Sequence, residues 1–569
     1  MSGVDEDLFF AGVTGQAAAV AAGDVSSREL TAAVLDRIRA YDGRLNAFTV
    51  VMPEQALAEA AERDALPATE HGPLHGVPVA IKEEVDVAGQ VTTFGGRGNV
   101  TPAARDAEVV RRLRAAGAVV VGRTNMPEFG QWPFTESLAH GMTRNPWDTR
   151  RSPGGSSGGT AAAVAAGLVA MGIGGDGGGS IRIPSACCGL FGLKPQRGRV
   201  TMAPSAHGWW GLSTTGPLTR SVLDSAVVYD VIRGTLPVDR WRAEEPRTSF
   251  TTAALAEAEP LRIGWSTKPV TLGVRPAPAH VEAVRQTAVL LERIGHEVVE
   301  VDPGYPDPTA AFVPQFFAGV RTGAEGVEDA ARLERRTKET ARLGIWVTPS
   351  VREWAIRQGE VVAAKANRVF DDHDVLLTPT IAHRPPEVGV LDGTGTVRAA
   401  LAAMPMIAYT ALWNVTGNPA ASVPAGFGDD GLPCAVQLVG RPPDASIACT
   451  TPASASARRA TRITVASRAA AACAVASPMP EEAPVTRTVR PASGDGAPVR
   501  RARRNQARGV VSSSPVTAGA SRQPRAAPAR RDHLAHRGRA ARAGARPAAP
   551  RTAGRRRRSP QAPRRPGCR

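Results

Sequence analysis

Apolar residues recur along this chain with two periods, and the alternation between them outlines the fold. Ser26-Ser27-Arg28-Glu29 has the form of a capping box, and Leu30, Val34, Leu35 and Ile38 follow it on one helical face. The whole of 12–63 reads as helical, its last part an Ala- and Glu-rich run over 53–64. Residues 77–81 read as a short buried strand that ends on Lys82. An amphipathic helix is predicted over 107–116, closed by Gly117, and a strand over 118–121. Strand, helix, strand in that order implies parallel pairing. A helix is predicted over 160–166, with Gly167 just past its end. A strand over 261–265, a helix over 279–294 and a strand over 297–301 repeat the rhythm. Residues 310–371 read as mostly helical, and 374–377 and 434–439 as late strands. The class is α/β.

The rhythm stops near residue 446. From Ile447 onward there is no Phe, Tyr or Trp, and Leu534 is the single Leu. Such a segment cannot bury enough apolar surface to offset its ordering entropy, so 447–569 is predicted to be a disordered tail. It holds 27 Arg, no Lys and four acids, a net +23, which leaves −7 for residues 1–446 out of the total of +16. The basic balance therefore belongs to the tail. Arg without Lys, beside abundant Ala and Pro, is what a GC-rich gene read out of frame would produce. Arginine runs such as 555–558 would hold phosphate non-specifically. Stacking aromatics are missing there, so no specific nucleic-acid partner is expected.

Asp5, Glu6 and Asp7 precede Phe9-Phe10, the reverse of a secretory leader. The longest apolar run, 161–174, is shorter than a membrane span. The six cysteines show no metal spacing, and Cys187-Cys188 is expected to pack as two small apolar residues. A cytoplasmic protein with no membrane partner and no metal is expected.

The chemistry concentrates in 152–195. Eleven of the residues 152–179 are Gly, which lets backbone approach a ligand closely. They fall in two clusters, each holding or ending on serine, and suggest backbone N–H groups aimed at one small anionic centre. Gly155-Ser156-Ser157-Gly158-Gly159 also fits a nucleophile elbow, but Arg151-Ser152-Pro153 before it is a poor strand. Gly172-Ile173-Gly174-Gly175-Asp176-Gly177 fits a dinucleotide fingerprint, but Pro184 interrupts and no acid follows until Asp224. No lysine follows the second glycine pair, which excludes a phosphate-binding Walker loop.

A longer pattern remains. Gly154-Gly155-Ser156-Ser157-Gly158-Gly159, then Asp176-Gly177-Gly178-Gly179-Ser180-Ile181-Arg182-Ile183-Pro184, then Cys188-Gly189-Leu190-Phe191-Gly192-Leu193-Lys194-Pro195 resembles the amidase signature family. Gly76-Val77-Pro78-Val79-Ala80-Ile81-Lys82 upstream is similar to the family's lysine strand. Gly216-Pro217-Leu218-Thr219-Arg220-Ser221 and Asp374-Val375-Leu376-Leu377-Thr378-Pro379-Thr380 extend the resemblance downstream. It spans roughly residues 5–445. It implies a single α/β/α domain with a mixed central sheet over 1–446, with N-terminal helices in 1–64 and a catalytic core in 65–230. After Gly440-Arg441-Pro442 the family continues with a charged pair and a closing helix, whereas this chain gives Pro443-Asp444-Ala445-Ser446.

Amide hydrolysis needs a nucleophile, a base and donors for the oxyanion. No histidine is well placed for a Ser-His-Asp triad, and a serine–lysine arrangement is the known variant. Lys82 is the natural base, since a lysine acts as one only when neutral and burial favours that form. The resemblance implies Ser180 as nucleophile and Ser156, in a cis peptide, as the bridge to Lys82. It implies the amides of Gly177, Gly178, Gly179 and Ser180 as the oxyanion hole, where the family has Thr or Ile at position 177. Ser157, Asp176 and Arg182 are expected to support these groups, and 310–371 to cover the site.

The implied reaction turns a carboxylic acid amide into acid plus ammonia or amine through a serine acyl-enzyme, without a cofactor. Trp209, Trp210 and Trp413 suggest an apolar or aromatic acyl pocket. The alternative within the family is the glutamine-hydrolysing component of a tRNA-dependent amidotransferase, which needs partner subunits. Gly177 and the scarcity of Tyr speak against it. A homodimer is compatible with the sequence.

Overall fold

The computed structural model describes residues 4–257 and 259–442. The chain divides into Met1–Arg490 and Pro491–Arg569, and all the described residues fall in the first unit. The expectations for the tail, its disorder and its reading frame lie outside the described residues.

Thirteen strands are described: β1 Phe48–Val51, β2 Pro78–Lys82, β3 Val119–Thr124, β4 Glu136–Ser137, β5 Gly141–Met142, β6 Met171–Asp176, β7 Phe191–Lys194, β8 Thr214–Thr219, β9 Arg262–Trp265, β10 Glu297–Glu300, β11 Val375–Pro379, β12 Ala420–Phe427 and β13 Pro433–Gly440. β4 and β5 form a small hairpin, and the other eleven form one sheet in the order β1-β3-β2-β6-β8-β7-β12-β13-β11-β9-β10. The sheet is mixed. β3, β2 and β6 run parallel, as do β11, β9 and β10, while β8, β7, β12 and β13 join them through antiparallel pairs.

Alternate residues of one strand point to opposite faces, and here they feed two cores. Val79 and Ile81 of β2 join the cluster under Glu108–Ala115, Val222–Ile232 and Pro278–Arg293. Ala80, between them, joins the cluster under Ser27–Leu45, Gly158–Ala165 and Arg182–Cys188. Both faces of the sheet are thus covered by helices, giving an α/β/α layering. Among the described residues no helix is long and apolar enough to cross a membrane.

The capping box forms: Ser26 Oγ accepts the Glu29 N–H and Glu29 Oε2 accepts the Ser26 N–H. The helical reading of 12–63 is interrupted. Asn46 takes a left-handed conformation after Ser27–Leu45, and β1 then pairs antiparallel with β3 at the sheet edge. Phe48-Thr49-Val50-Val51 is aromatic and β-branched, so strand propensity prevails there. The second glycine cluster is also partly a strand. β6 lies between β2 and β8, and its glycines leave room for close neighbours: a Cβ at Gly172 would meet Thr160 Cγ2 at 2.6 Å, and one at Gly174 would meet Leu218 Cδ1 at 2.7 Å. Cys187 and Cys188 are buried free thiols, as expected.

Candidate active site

Lys82 ends β2 and Asp176 ends β6, so two parallel neighbours deliver both residues to the same edge of the sheet. Carboxyl ends of parallel strands are where α/β sheets place their ligands. Lys82 is 1% exposed, and its Nζ donates to Ser156 Oγ at 2.8 Å. The Gly155–Ser156 peptide is cis. Ser157 follows as the N-cap of Gly158–Ala165, so the serine pair sits at the positive end of that helix. Ser157 donates its N–H to Ser180 O and its Oγ to Gly175 O, both at 3.3 Å.

Asp176 organises the turn that carries Ser180. Its Oδ1 accepts the Gly179 N–H at 2.7 Å and its Oδ2 the Ile181 N–H at 3.2 Å. Arg182 grips the carboxylate in bidentate fashion, Nε to Oδ2 and Nη2 to Oδ1, each at 2.9 Å. The other guanidinium donors reach Thr410 O, Gln437 Oε1 and Asn414 Oδ1. Burial alone would oppose the charge on Asp176, but Arg182, Lys194 and Asn414 outweigh it and hold the carboxyl well below the ordinary value. Thr410 Oγ1 fixes Gly178 O at 2.7 Å. Gly179 has φ +132°, and a Cβ there would meet Thr410 Oγ1 at 2.5 Å, so this position requires glycine.

The expected oxyanion donors separate. Among the described residues, nothing accepts from the N–H groups of Gly177, Gly178 and Ser180, whereas the Gly179 N–H is held by Asp176. The serines separate too: Ser156 Oγ is bonded to Lys82, and no hydrogen bond joins Ser156 to the Ser180 hydroxyl. Lys82, Ser156, Gly177, Gly178 and Ser180 nevertheless line one cavity of about 720 Å³.

The far wall of that cavity is aromatic. Phe316 lies edge-on to Trp132 and Trp209, with centroids at 6.4 and 5.5 Å, and stacks on Phe312 at 6.0 Å. Phe312 and Phe316 belong to Thr309–Glu325, one of four helices, with Arg335–Leu343, Pro349–Ala366 and Val369–Asp372, in the segment expected to cover the site. Gly319 of that helix admits Trp209, since a Cβ there would lie 2.8 Å from its Cγ. The three expected pocket tryptophans part company: Trp209 lines the cavity, Trp210 stacks on His207 under Arg352, and Trp413 is core.

Sequence reasoning passed over Trp132, Phe312, Phe316, His207 and Glu84, all of which line the cavity. Glu84, two residues past the strand lysine, carried a signal in its spacing. The aromatics did not, because they come from three distant segments. Among the described residues no three His, Cys, Asp or Glu gather as a metal cluster.

Fold and site define a serine- and lysine-bearing α/β enzyme. The Amidase family model matches residues 29–445, and the chain belongs to this family. It is a hydrolase acting on amide C–N bonds. It is 48% identical over 442 residues to "Putative amidase AmiB2" of Mycobacterium tuberculosis, covering 77% of this chain and 94% of that one. It is 35% identical to one component of the glutamyl-tRNA(Gln) amidotransferase of Moorella thermoacetica, covering 74% and 90%. Its fold is similar to that of 6-aminohexanoate cyclic dimer hydrolase, with TM-score 0.75 and 30% identity over 84% of this chain and 98% of that one.

Proposed function

We propose that the chain hydrolyses an amide with a bulky apolar acyl group through an acyl-enzyme on Ser180. The observation that supports this best is the 2.8 Å contact of Lys82 Nζ with Ser156 Oγ, in the cavity that Ser180 also lines. Neutral Lys82 takes the Ser156 proton while Ser156 takes the proton of Ser180, whose Oγ bonds to the amide carbon. The N–H groups of Gly177, Gly178 and Ser180 receive the oxyanion. Return of the proton along the same path expels ammonia or amine, and water then repeats the sequence to release the acid. Gly179 is left out of the donor set because its N–H holds Asp176.

The aromatic wall supports the acyl preference. Among the described residues that line the cavity, Lys82 alone is a lysine or arginine, so these residues offer the α-carboxylate of glutamine no second cation. The test is covalent labelling with a fluorophosphonate and mapping of the adduct by mass spectrometry. The adduct is expected on Ser180, and one on Ser157 would overturn the mechanism.

A further inference from the structure

Lys82 Nζ has two partners among the described residues, and the reaction above uses one. The other is Glu84, whose Oε1 lies 3.0 Å away. Glu83 and Glu84 are neighbours in sequence with different surroundings. Glu83 is buried and held by Arg123, Thr49 and Thr93. The Glu84 side chain is 27% exposed, lines the cavity with Ser156 and Ser180, and meets Lys82 there.

Two glycines make room for this arrangement. A Cβ at Gly175 would lie 2.2 Å from Glu84 Oε1. One at Gly130 would lie 3.0 Å from Ser156 Oγ and 3.4 Å from Glu84 Oε2. Other charges near Lys82 are engaged elsewhere: Arg123 on β3 with Glu83, and Asp176 at the end of β6 with Arg182. Asp86, also on the cavity wall, accepts from Thr92. Glu84 is the carboxylate that the described residues bring within ion-pair distance of Nζ.

We propose that Glu84 is a positioning residue for the lysine: it anchors Lys82 Nζ so that the amine lone pair faces Ser156, and it stabilises the ammonium formed when Lys82 takes the proton. This rests on Lys82 acting as the base. A neutral amine has two N–H bonds and one lone pair. Attraction of its N–H side toward the Glu84 carboxylate, 3.0 Å away, leaves the lone pair free to accept from Ser156 on the other side. After transfer, the proton sits on Nζ, and the new cation lies beside a carboxylate in a mostly buried site, where such a pair is strong. The same charge also favours the ammonium before substrate arrives, so the rate gained at high pH carries a loss at low pH.

Glu84→Gln keeps an acceptor of the same shape and removes the charge. In the full chain, with one amide substrate, kcat at the high-pH plateau is expected to fall on the order of tenfold with KM little changed. The rising limb of the pH–rate profile is expected to move to lower pH. Gly175→Ala should do the same by displacing the carboxylate, which ends a flexible side chain, and it decides the matter if Glu84→Gln does not fold. An unmoved limb, or a raised KM with unchanged kcat, overturns the proposal. If the wild-type chain turns over amide and is labelled on Ser180 while both variants match it at every pH, only the role of Glu84 fails. If the wild-type chain does neither, the reading of the site fails as well.

Discussion

Asp176 needs no contact with substrate to decide whether Ser180 is presented. It accepts from the backbone N–H groups of Gly179, Ile181 and Arg182 and shares a bidentate pair with the Arg182 side chain, all of it buried. Asp176→Asn leaves Arg182 as a buried cation without its counter-charge, and such losses cost about 3–5 kcal/mol. A lower melting temperature together with lost turnover is expected, where a purely catalytic residue would lose turnover alone. Because the folded carboxyl is held below 3.8, this stabilisation is fully present above that pH and is lost as pH falls toward the depressed value. The residues assigned to chemistry should rank differently. Ser180→Ala should reduce hydrolysis to background and Lys82→Ala nearly so, since members of one catalytic unit are not additive. Ser156→Ala should keep a fraction, with a water bridging Lys82 and Ser180, and Ser157→Ala more. Steady-state rates with unchanged melting curves check the order, and equal losses at Ser157 and Ser180 would defeat it.

Between elements, the cover meets the sheet at Glu128–Gly130, the turn that also puts Phe129 on the cavity wall. Glu128 Oε2 accepts the Glu334 N–H at 3.0 Å, beside Arg335–Leu343. Burial first, and then the neighbouring Glu334 carboxylate, push its carboxyl up from 4.5 to about 7. The folded state therefore keeps a proton that the unfolded state releases, and stability falls as pH rises from 4.5 to about 7. Glu128→Gln removes that loss. It should raise stability by roughly 3 kcal/mol at pH 8 and by little near pH 4.5, read as melting temperatures at the two pH values. An equal difference at both would show that ionisation of Glu128 is not the cause. The elements themselves were unequally legible. Ser27–Leu45 was readable because its capping box opens a face apolar at helical spacing, and Pro53–Asp64 because it is rich in the helix formers Ala and Glu. β6 was hidden because Met171-Gly172-Ile173-Gly174-Gly175-Asp176 owes its extension to tight neighbours rather than to its own propensity. The aromatic wall was unreadable for a related reason, since tertiary approach alone distinguishes its rings from core rings, and Glu84 had only its place two residues past Lys82 to separate it from Glu83.

At the scale of the whole molecule, the last described strand decides where the chain can end. β13 enters between β12 and β11, in the interior of the sheet, and all eight of its residues are buried. Gly440 O accepts from Asn418 Nδ2 at 2.8 Å, so the strand is tied down to its final residue. All eleven strands of the described sheet are therefore in place by Gly440. Beyond Ile447 the sequence offers one Leu and no aromatic residue, so it has little apolar surface to add to either core. Its 27 arginines make it a dense target for trypsin. Limited trypsin digestion of the full chain should leave a resistant fragment ending near residue 445 that keeps the amide-hydrolysing activity and the melting temperature of the intact protein. A chain stopped before Pro433 should instead yield no folded protein, because β12 and β11 would both lose a buried partner strand. A resistant fragment reaching past residue 500, or loss of turnover once the Arg-rich segment is cut away, would show that the tail takes part in the fold.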